Sequence, residues 1–251
     1  MVQKLNGTQT LSRALDILFA LSEANGTLSV SEIAEKVSIP ESTTYRFLQT
    51  LERSGIVERR GKSQIGLGLR ILDLARSLNE QVHRGLLNLA LPIMEQLMES
   101  TQETSVLFVR TGNNAICIQQ VRSRELIQFA IENGRVLPLH LGASGKSILA
   151  FENERVVRRV LETLESEEDR LRLAQELAEI REQGFSYTNG EVDPNVFAVS
   201  APILDSHGLV VASLSICGPS FRYKESPEGF FIQEVKKSAE SLSKRLGFGV
   251  E

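Results

Sequence analysis

Residues 28–59 read LSVSEIAEKVSIPESTTYRFLQTLERSGIVER, and this stretch decides the fold of the N-terminal part of the chain. Ser29 stands three residues before Glu32, which is the spacing of a capping box at a helix N-terminus. The pattern predicts a helix over residues 30–37, then a tight turn and a second helix that ends near Arg53. A short helix, a tight turn and a second helix of this length are typical of a helix-turn-helix.

The flanking segments complete a winged helix. Residues 11–21 repeat apolar side chains at a helical period and predict a helix before the helix-turn-helix. Residues 56–69 predict two short strands around the tip Gly61-Lys62-Ser63. A basic hairpin in this position is typical of the wing of a winged helix-turn-helix, although three helices and a hairpin also occur in domains that do not bind DNA.

The distribution of charge favours DNA binding by this part alone. The chain has 251 residues and a net charge of −4, which as a whole is not typical of a nucleic-acid-binding protein. Up to Val82 there are ten Lys and Arg against nine Asp and Glu, whereas the remainder has 18 against 23. This asymmetry indicates a small DNA-binding part joined to a larger part with another task; a solvated charged surface is the alternative.

The second helix of the pair is predicted to present a polar face to solvent. Its outward side chains carry hydroxyl, amide, phenol and guanidinium groups, which reach base edges and phosphates. We therefore predict DNA contacts from Ser42, Thr43, Tyr45, Arg46, Gln49 and Arg53. On the hairpin, contacts with phosphate or the minor groove are predicted for Arg59, Arg60 and Lys62.

After an amphipathic helix predicted over residues 69–82, the pattern changes to one of mixed helices and strands. The predicted helices cover residues 85–100 (with Pro92 as a kink or restart), 142–151, 154–163, 168–183 and about 226–247. The predicted strands cover residues 104–110, 115–121, 126–131, 196–204 and 209–217. Strands that bracket helices in this order predict an α+β domain with a mainly antiparallel sheet.

Two of these strands have one apolar face and one face of small, weakly polar residues. The small faces consist of Ala198, Ser200 and Pro202 on one strand and Ser213, Ser215 and Cys217 on the other. Such a face can line a ligand cavity, whereas a solvent-facing side usually carries Lys, Glu, Arg or Thr. Because a cavity wall is not close-packed, we expect the fold to tolerate a bulkier residue at Ser215 better than a change on the Leu214 side.

Residues 141–147, LGASGKS, form a loop that enters a helix. The loop is not a P-loop, because His140 stands where GxxxxGK[ST] needs glycine, and Lys146 breaks the pattern GxSxG. Free amides at such a helix start suit a carboxylate or phosphate, and a tight turn with close helix packing is an equal alternative. We expect the ligand's acidic group at the amides of Ala143, Ser144 and Gly145 and its body against Leu126, Phe129, Ser215 and Cys217.

Other functional classes lack the residues that they require. Cys117 and Cys217 are the only cysteines, and the three histidines, which include His83 and His207, are scattered, so no zinc, CxxC or HExxH spacing occurs. We therefore predict no metal, no cofactor and no catalytic residue. No apolar stretch reaches the ~20 residues of a membrane span, and the N-terminus does not read as a signal peptide, so we expect a cytoplasmic protein.

Five segments, in the same order, resemble the IclR family of bacterial transcriptional regulators. They are residues 28–59 together with TLSRALDILFALSE (10–23), IGLGLRILDLA (65–75), LPLHLGASGKSILA (137–150) and DPNVFAVSAPILDSHGLVVASLSICGP (193–219). The resemblance covers about residues 8–247. It implies a winged helix-turn-helix DNA-binding domain over residues 1–68, a linker helix over 69–83 and a GAF-like α/β effector-binding domain over 84–251.

The same resemblance implies partners and pocket positions. The implied partners are a double-stranded DNA operator, further copies of the chain in a homodimer or homotetramer, and a small organic acid or aromatic effector. The implied pocket positions are Ala143, Ser144, Thr188, Asn189, Ala198, Ser215 and Cys217. Family members that bind small keto acids have an acidic residue in place of Thr188 and cysteine in place of Ala198, which argues against a glyoxylate- or pyruvate-like effector.

Two other classes of function remain as alternatives. One is an enzyme that uses the loop over residues 142–147, and the lack of a catalytic constellation argues against it. The other is a protein–protein interaction module in which the helix-turn-helix mediates assembly, and the basic hairpin argues against that one. The sequence does not identify the effector, the operator or the sign of regulation.

Overall fold

The chain forms two compact units, Met1–Arg84 and Gly85–Glu251. The structure is a computed structural model that describes residues 7–24, 26–61, 63–78 and 84–249. Across this described part, no helix combines the length and the apolar composition that crossing a membrane requires.

The N-terminal unit is a winged helix-turn-helix with a three-stranded antiparallel sheet of order β1-β3-β2. Its helices are α1 (Gly7–Glu23), α2 (Val30–Lys36), α3 (Glu41–Arg53) and α4 (Arg70–Leu78). Its strands are β1 (Leu28–Ser29), β2 (Val57–Arg60) and β3 (Gln64–Leu67). The helix-turn-helix pair is therefore α2 and α3, and the wing is the β2–β3 hairpin.

Local sequence signals explain where the helix-turn-helix begins. The amide of Glu32 donates to Ser29 Oγ at 3.3 Å, and the amide of Ser29 donates to Glu32 Oε2 at 2.7 Å, which completes the predicted capping box. These hydrogen bonds from Ser29 lower the pKa of Glu32. Side chains from α1, α2, α3 and both wing strands then close one small core, with Ile17, Ile33, Leu48 and Ile65 at its centre.

The C-terminal unit is an α+β domain built on a six-stranded antiparallel sheet of order β6-β5-β4-β9-β8-β7. Its strands are β4 (Thr104–Thr111), β5 (Asn114–Val121), β6 (Val136–Pro138), β7 (Ser186–Asn189), β8 (Val196–Leu204) and β9 (Val210–Pro219). Its helices are α5 (Arg84–Thr101), α6 (Gly142–Phe151), α7 (Glu154–Leu161), α8 (Glu167–Gln183), α9 (Ser220–Glu225) and α10 (Phe230–Arg245). The predicted antiparallel sheet is confirmed.

Each face of this sheet is covered by helices, which creates two cores. Helices α5 and α10 pack on the apolar face, where Phe197, Val199, Leu214 and Ile216 are completely buried. Helices α6, α7 and α8 pack on the opposite face of the sheet. The predicted alternation of β8 and β9 is therefore confirmed on its apolar side.

The structure differs from the sequence-based expectation at several places. Strand β7 and helix α9 were not predicted, and α10 begins at Phe230 instead of near residue 226. Residues 126–131 form irregular chain and not the predicted strand, and Leu126 is fully exposed. The strand that pairs with β5 on this side is β6. Pro92 lies within α5, which spans the predicted kink or restart as one helix. The helix predicted over 69–82 is described as α4 up to Leu78, and residues 79–83 lie outside the described part.

A buried ion pair joins the start of β4 to α9. Glu103 is completely buried, and Arg222 donates to its two carboxylate oxygens from Nε and from Nη2, the latter at 2.8 Å. Gly218 provides the space, since a Cβ there would overlap the carboxylate. Burial raises the pKa of Glu103, and the Arg222 guanidinium opposes that shift.

We predict that Arg222→Gln lowers the free energy of unfolding by about 3 kcal/mol at neutral pH, because it leaves the Glu103 charge buried and unpaired. Because burial raises the pKa of Glu103, the loss of unfolding free energy in Arg222→Gln is fully present only above the folded-state pKa of Glu103, where the carboxylate is charged. The penalty disappears as the pH falls below the unfolded-state value near 4.5, where the carboxyl is protonated in both states. Urea denaturation at several pH values measures this difference.

The matched control is Arg172→Gln, which breaks only exposed pairs with Glu168 and Asp169 and is expected to cost less than about 1 kcal/mol at every pH. An Arg222→Gln penalty that stays constant between pH 7 and pH 4 contradicts the assignment of a buried, charged Glu103.

Candidate functional site

The outer face of α3 is polar and open to solvent. Thr44 and Leu48 are completely buried against the core of the unit, which fixes the rotation of the helix about its axis. The predicted contact residues therefore lie on the opposite side: Thr43 is half-buried, and the exposed ones are Ser42, Tyr45, Arg46, Gln49 and Arg53. This arrangement provides one face of hydrogen-bond donors with the length of a recognition helix.

The wing arginines are held by carboxylates. Arg59 donates from Nε to both carboxylate oxygens of Glu52 at 3.2 Å, and its guanidinium lies 5.6 Å from the centre of the Tyr45 ring. Arg60 donates from Nε to Glu58 at 2.8 Å. Arg59 thus ties the wing to α3, and the predicted Lys62 contact lies outside the described residues. Among the described residues, Arg46 forms no ion pair, so its guanidinium is available to a ligand.

In the C-terminal unit, α6 packs directly on the small-residue face of β8 and β9. All nine residues of α6 from Gly142 to Ala150 are buried, which is possible only where the facing strands carry short side chains. A Cβ at Gly145 would lie 2.8 Å from the carbonyl oxygen of Leu139, so glycine is needed for this close approach. The small face therefore accommodates a helix over part of its extent, and its Ala198, Ser215 and Cys217 also line a cavity, as the alternation predicts.

Serine hydroxyls join α6 to the sheet. The hydroxyls of Ser144 and Ser215 lie 2.8 Å apart, and Ser215 Oγ donates to Ser200 Oγ at 2.8 Å. Ser213 Oγ donates to the carbonyl oxygen of Ser144 at 3.1 Å. These groups are buried and satisfy one another, so a bulkier residue at Ser215 breaks hydrogen bonds between α6 and the sheet. That the fold tolerates such a residue there better than one on the Leu214 side stays a prediction.

A cavity of about 40 Å³ remains at the N-terminal end of α6. By volume it has room for about three water molecules, which indicates a very small ligand or a site that expands on binding. Its apolar wall includes Val106, Phe108, Phe129, Ile131, Leu137, Val192, Val196 and Ala198. Its polar wall consists of Arg135, Ser144, Thr188, Asp193 and Ser215, with Gly142, Ala143 and Cys217 completing it.

The cavity brings together seven of the ten residues that the sequence predicts to bind an effector. They are Phe129, Ala143, Ser144, Thr188, Ala198, Ser215 and Cys217. The other three lie elsewhere and are corrections to the predicted site. Leu126 is fully exposed on the irregular segment, Gly145 is packed against Leu139, and Asn189 is exposed, with its Oδ1 accepting from Ser220 Oγ.

The donors at the start of α6 are fewer than predicted. The amide of Leu141 bonds to the carbonyl of Pro138 and that of Gly142 to the Glu191 carboxylate at 3.2 Å. A helix leaves its first four amides without an intrahelical acceptor, so Gly145, the next residue, has its acceptor within the helix. The amides of Ala143 and Ser144 are therefore the ones left for a ligand, and both residues line the cavity.

Sequence reasoning missed the charged residues at the cavity. Arg135 and Asp193 both line it, and Arg135 Nη2 donates to Asp193 Oδ2 at 2.9 Å. The two residues are far apart in the chain, and although Asp193 opens the segment 193–219 that carries the family resemblance, Arg135 lies outside every quoted segment. The sole sequence signal is the turn over residues 133–135, which places Arg135 directly before β6.

Lys146, the lysine of the loop that resembles a P-loop, has a structural role. Its Nζ donates to Glu176 at 2.8 Å and to Glu191 at 2.9 Å, and the side chain is buried. Ser144 bonds to Ser215, so the described residues do not form a nucleophile–base pair between it and His140. Within the described part, no cluster of side chains is suited to a metal ion.

Comparison with known proteins identifies both units. The family profile described as the IclR helix-turn-helix domain matches residues 10–61, and the profile described as the C-terminal part of bacterial transcriptional regulators of the IclR type matches residues 79–244. The chain is 31% identical to the HTH-type transcriptional repressor AllR of Escherichia coli K12 over 96% of this chain and 91% of AllR.

Two further proteins extend the comparison. The chain is 30% identical to the transcriptional repressor IclR of Escherichia coli K12, over 95% of this chain and 90% of that protein. An IclR homologue from Microbacterium hydrocarbonoxydans, solved in complex with 4-hydroxybenzoate, has the same fold, with a TM-score of 0.76 at 23% identity. That superposition covers 94% of this chain and 98% of the homologue.

We predict that Ser215→Leu lowers the free energy of unfolding by about 3 kcal/mol or more. The larger side chain exceeds the space that is left beneath α6, and the change, like Ser215→Ala, also removes the hydroxyl that Ser144 contacts. The matched control Ser215→Ala removes only the hydroxyl and is expected to cost about 1 kcal/mol. Urea denaturation compares the two variants, and a Ser215→Leu protein as stable as Ser215→Ala contradicts the close packing.

Proposed function

The chain belongs to the IclR family of bacterial transcriptional regulators, and we propose that it is a repressor whose operator binding responds to a small organic acid or aromatic effector. It is a DNA-binding regulator with an N-terminal helix-turn-helix and not an enzyme. The names of the relatives AllR and IclR, both repressors, support the sign of regulation. We place the protein in the cytoplasm, together with its operator.

The exposed face of α3, which includes the exposed Arg46, is the observation that carries the DNA-binding proposal. In our proposal Ser42, Thr43, Tyr45, Arg46, Gln49 and Arg53 meet base edges and phosphates in the major groove. Arg60 and Lys62 meet phosphate or the minor groove. Arg59 keeps the wing attached to α3 through Glu52 and contributes positive charge at the same surface.

Exposed apolar side chains support assembly into a dimer or tetramer. On α1, Leu11, Leu15 and Phe19 recur every fourth residue, and Leu11 and Phe19 are 63% and 60% exposed. Leu69, Leu72 and Leu74, before and within the first turns of α4, are also exposed. Apolar surface of this kind on a small domain marks an interface between copies. A symmetric dimer reads a pseudo-palindromic operator, because each half-site meets one recognition helix.

The cavity at the start of α6 supports the effector proposal. It is partly open to solvent, mostly apolar, and bordered by the amides of Ala143 and Ser144, which suit an acidic group. In our proposal Phe129, Ala143, Ser144, Thr188, Ala198, Ser215 and Cys217 form the effector site. Its small volume favours a small acid in this state, and an aromatic ligand requires the wall to open.

We predict that Arg46→Ala weakens operator binding by about 1–3 kcal/mol if the side chain reads a guanine through two hydrogen bonds. The operator is first selected from random duplexes with the full-length protein, and affinities are then measured by gel shift. Arg172→Ala, an exposed arginine of α8, is the control and keeps the parent affinity. Lys62→Ala reduces affinity for all duplexes and makes the salt dependence shallower by about one unit.

Selection of no duplex by the parent protein contradicts the proposed operator binding. Unchanged operator affinity in Arg46→Ala removes that residue from base reading and leaves the remaining α3 face as the candidate.

We predict that Leu11→Glu/Phe19→Glu converts the assembly to monomers and weakens operator binding, because charges replace apolar groups at the proposed interface. Light scattering at micromolar concentration measures the mass. Leu171→Glu, a similarly exposed leucine on α8, is the control and leaves the mass unchanged. A parent protein that is monomeric at this concentration overturns the proposed assembly.

A further inference from the structure

We propose that Arg135 binds the effector's carboxylate and that the Asp193 carboxylate pairs with Arg135 when no effector is bound. This inference rests on the effector site proposed above. Arg135 and Asp193 are the only charged residues that line the cavity among the described residues. They bond to each other at 2.9 Å across its wall. Their paired charges make the cavity neutral, so an entering anion meets a guanidinium that already holds a carboxylate.

The polar groups that the cavity offers a ligand are donors. The amides of Ala143 and Ser144 lack intrahelical acceptors, and the hydroxyls of Ser144 and Ser215 already satisfy each other. Thr188 is 8% exposed and lines the cavity, and its hydroxyl forms no hydrogen bond with any described residue. Arg135 adds a guanidinium with five N–H groups. A group that only accepts hydrogen bonds, such as a carboxylate, is complementary to this set.

The Arg135–Asp193 pair is suited to exchange. Its side chains are 31% and 32% exposed, and ion pairs this accessible to water contribute little to stability. A ligand carboxylate can form the same charge-assisted hydrogen bonds and, unlike Asp193, bring an apolar body into the cavity. The exchange breaks the hydrogen bond from Arg135 Nη2 to Asp193 Oδ2 and forms one to the ligand oxygen, with no proton transferred.

The segment that carries Asp193 is held by other contacts on both sides: the amide of Val196 donates to the Asp193 carbonyl, and the amide of Ser220 donates to the carbonyl of Asn195. Glu191, two residues earlier, accepts from the Gly142 amide and from Lys146, which fixes that part of the loop to α6. Val192 and Asp193 then continue along the cavity wall. Release of Asp193 by an anion therefore frees its side chain, while the backbone hydrogen bonds hold the segment and the Lys146 anchor keeps the start of α6 in place.

The ligand chemistry implied is a small monocarboxylate. The free volume of about 40 Å³ admits few atoms beyond the carboxylate, and the remaining wall is apolar. One guanidinium, two amides and one hydroxyl satisfy one carboxylate, whereas a second one would stay unpaired among apolar side chains. The primary amide of the same acid has the same shape but no charge. A comparison of the two affinities therefore shows whether the cavity binds the charge of the carboxylate or only the shape of the ligand.

The experiment measures direct binding to the full-length protein by calorimetry. The probes are propionate, lactate, benzoate and 4-hydroxybenzoate, each paired with its primary amide. The variants are Arg135→Gln, Arg135→Lys, Asp193→Asn and the control Arg110→Gln, which removes an arginine of similar exposure that pairs with the less exposed Glu152 and does not line the cavity. Urea denaturation verifies that each variant is folded, and Arg135→Lys, which keeps the charge, tests the role if Arg135→Gln is unfolded.

We expect at least one acid to bind the parent at least tenfold more tightly than its amide. Arg135→Gln weakens the binding of that acid tenfold or more, Arg135→Lys weakens it less, and Asp193→Asn strengthens it threefold or more by removing the competing carboxylate. Arg110→Gln changes it less than twofold. If the Arg135–Asp193 pair only holds the cavity wall in place, Arg135→Gln and Asp193→Asn change the binding of the acid in the same direction.

Three results overturn the inference: Asp193→Asn and Arg135→Gln shift affinity in the same direction, the amides bind as tightly as the acids, or no acid binds the parent. The variant Ala198→Val tests whether the cavity is the effector site at all, because its added methyl groups fill the cavity and block any ligand there. Loss of amide binding in Ala198→Val means that the cavity is the effector site and only the role of Arg135 is wrong. Binding that survives Ala198→Val places the effector elsewhere and contradicts the proposed site. Gel shifts with the selected operator test the DNA-binding proposal independently of both.

Discussion

The close packing of α6 on β8 and β9 is the constraint on which the rest of the C-terminal domain depends. The helix is buried along almost its whole length, so the strands beneath it carry serine and alanine and the helix itself begins with glycine. The same packing places the free amides of Ala143 and Ser144 at the edge of the sheet. The cavity is the space that remains there, between the end of the helix and the loop that precedes β8.

Burial of polar groups in this layer is balanced by specific partners. The buried Lys146 forms ion pairs with the carboxylates of Glu176 and Glu191, and the buried Glu103 forms an ion pair with Arg222. Breaking such pairs costs more than forming them contributes, because an unpaired charge or hydroxyl remains buried. The pairs therefore specify which segments meet: Glu191 connects α6 to the loop before β8, and Arg222 connects α9 to the start of β4.

The two units divide the tasks of a regulator in physically different ways. The N-terminal unit exposes its functional groups, since α3 must present donors to a nucleic acid and α1 presents apolar side chains that suit a second copy. The C-terminal unit encloses its functional groups, since a small ligand is recognised by surrounding it. The acidic net charge of the whole chain conceals this division, because the basic residues of the helix-turn-helix are outnumbered elsewhere.

The sequence by itself determined the local elements and the family. The capping box at Ser29, the hairpin around residues 61–63 and the alternation in β8 and β9 depend on interactions between near neighbours, so their patterns are legible in order along the chain. Seven cavity residues were predicted from that alternation and from the resemblance. Tertiary structure alone decided what lies against the small face and which donors stay free. Ser144 meets Ser215, and Arg135 meets Asp193, across large separations in the chain that no periodicity encodes. Tertiary contacts likewise decide that Leu126, Gly145 and Asn189 do not line the cavity, because Leu126 is exposed, Gly145 packs against Leu139 and Asn189 bonds to Ser220.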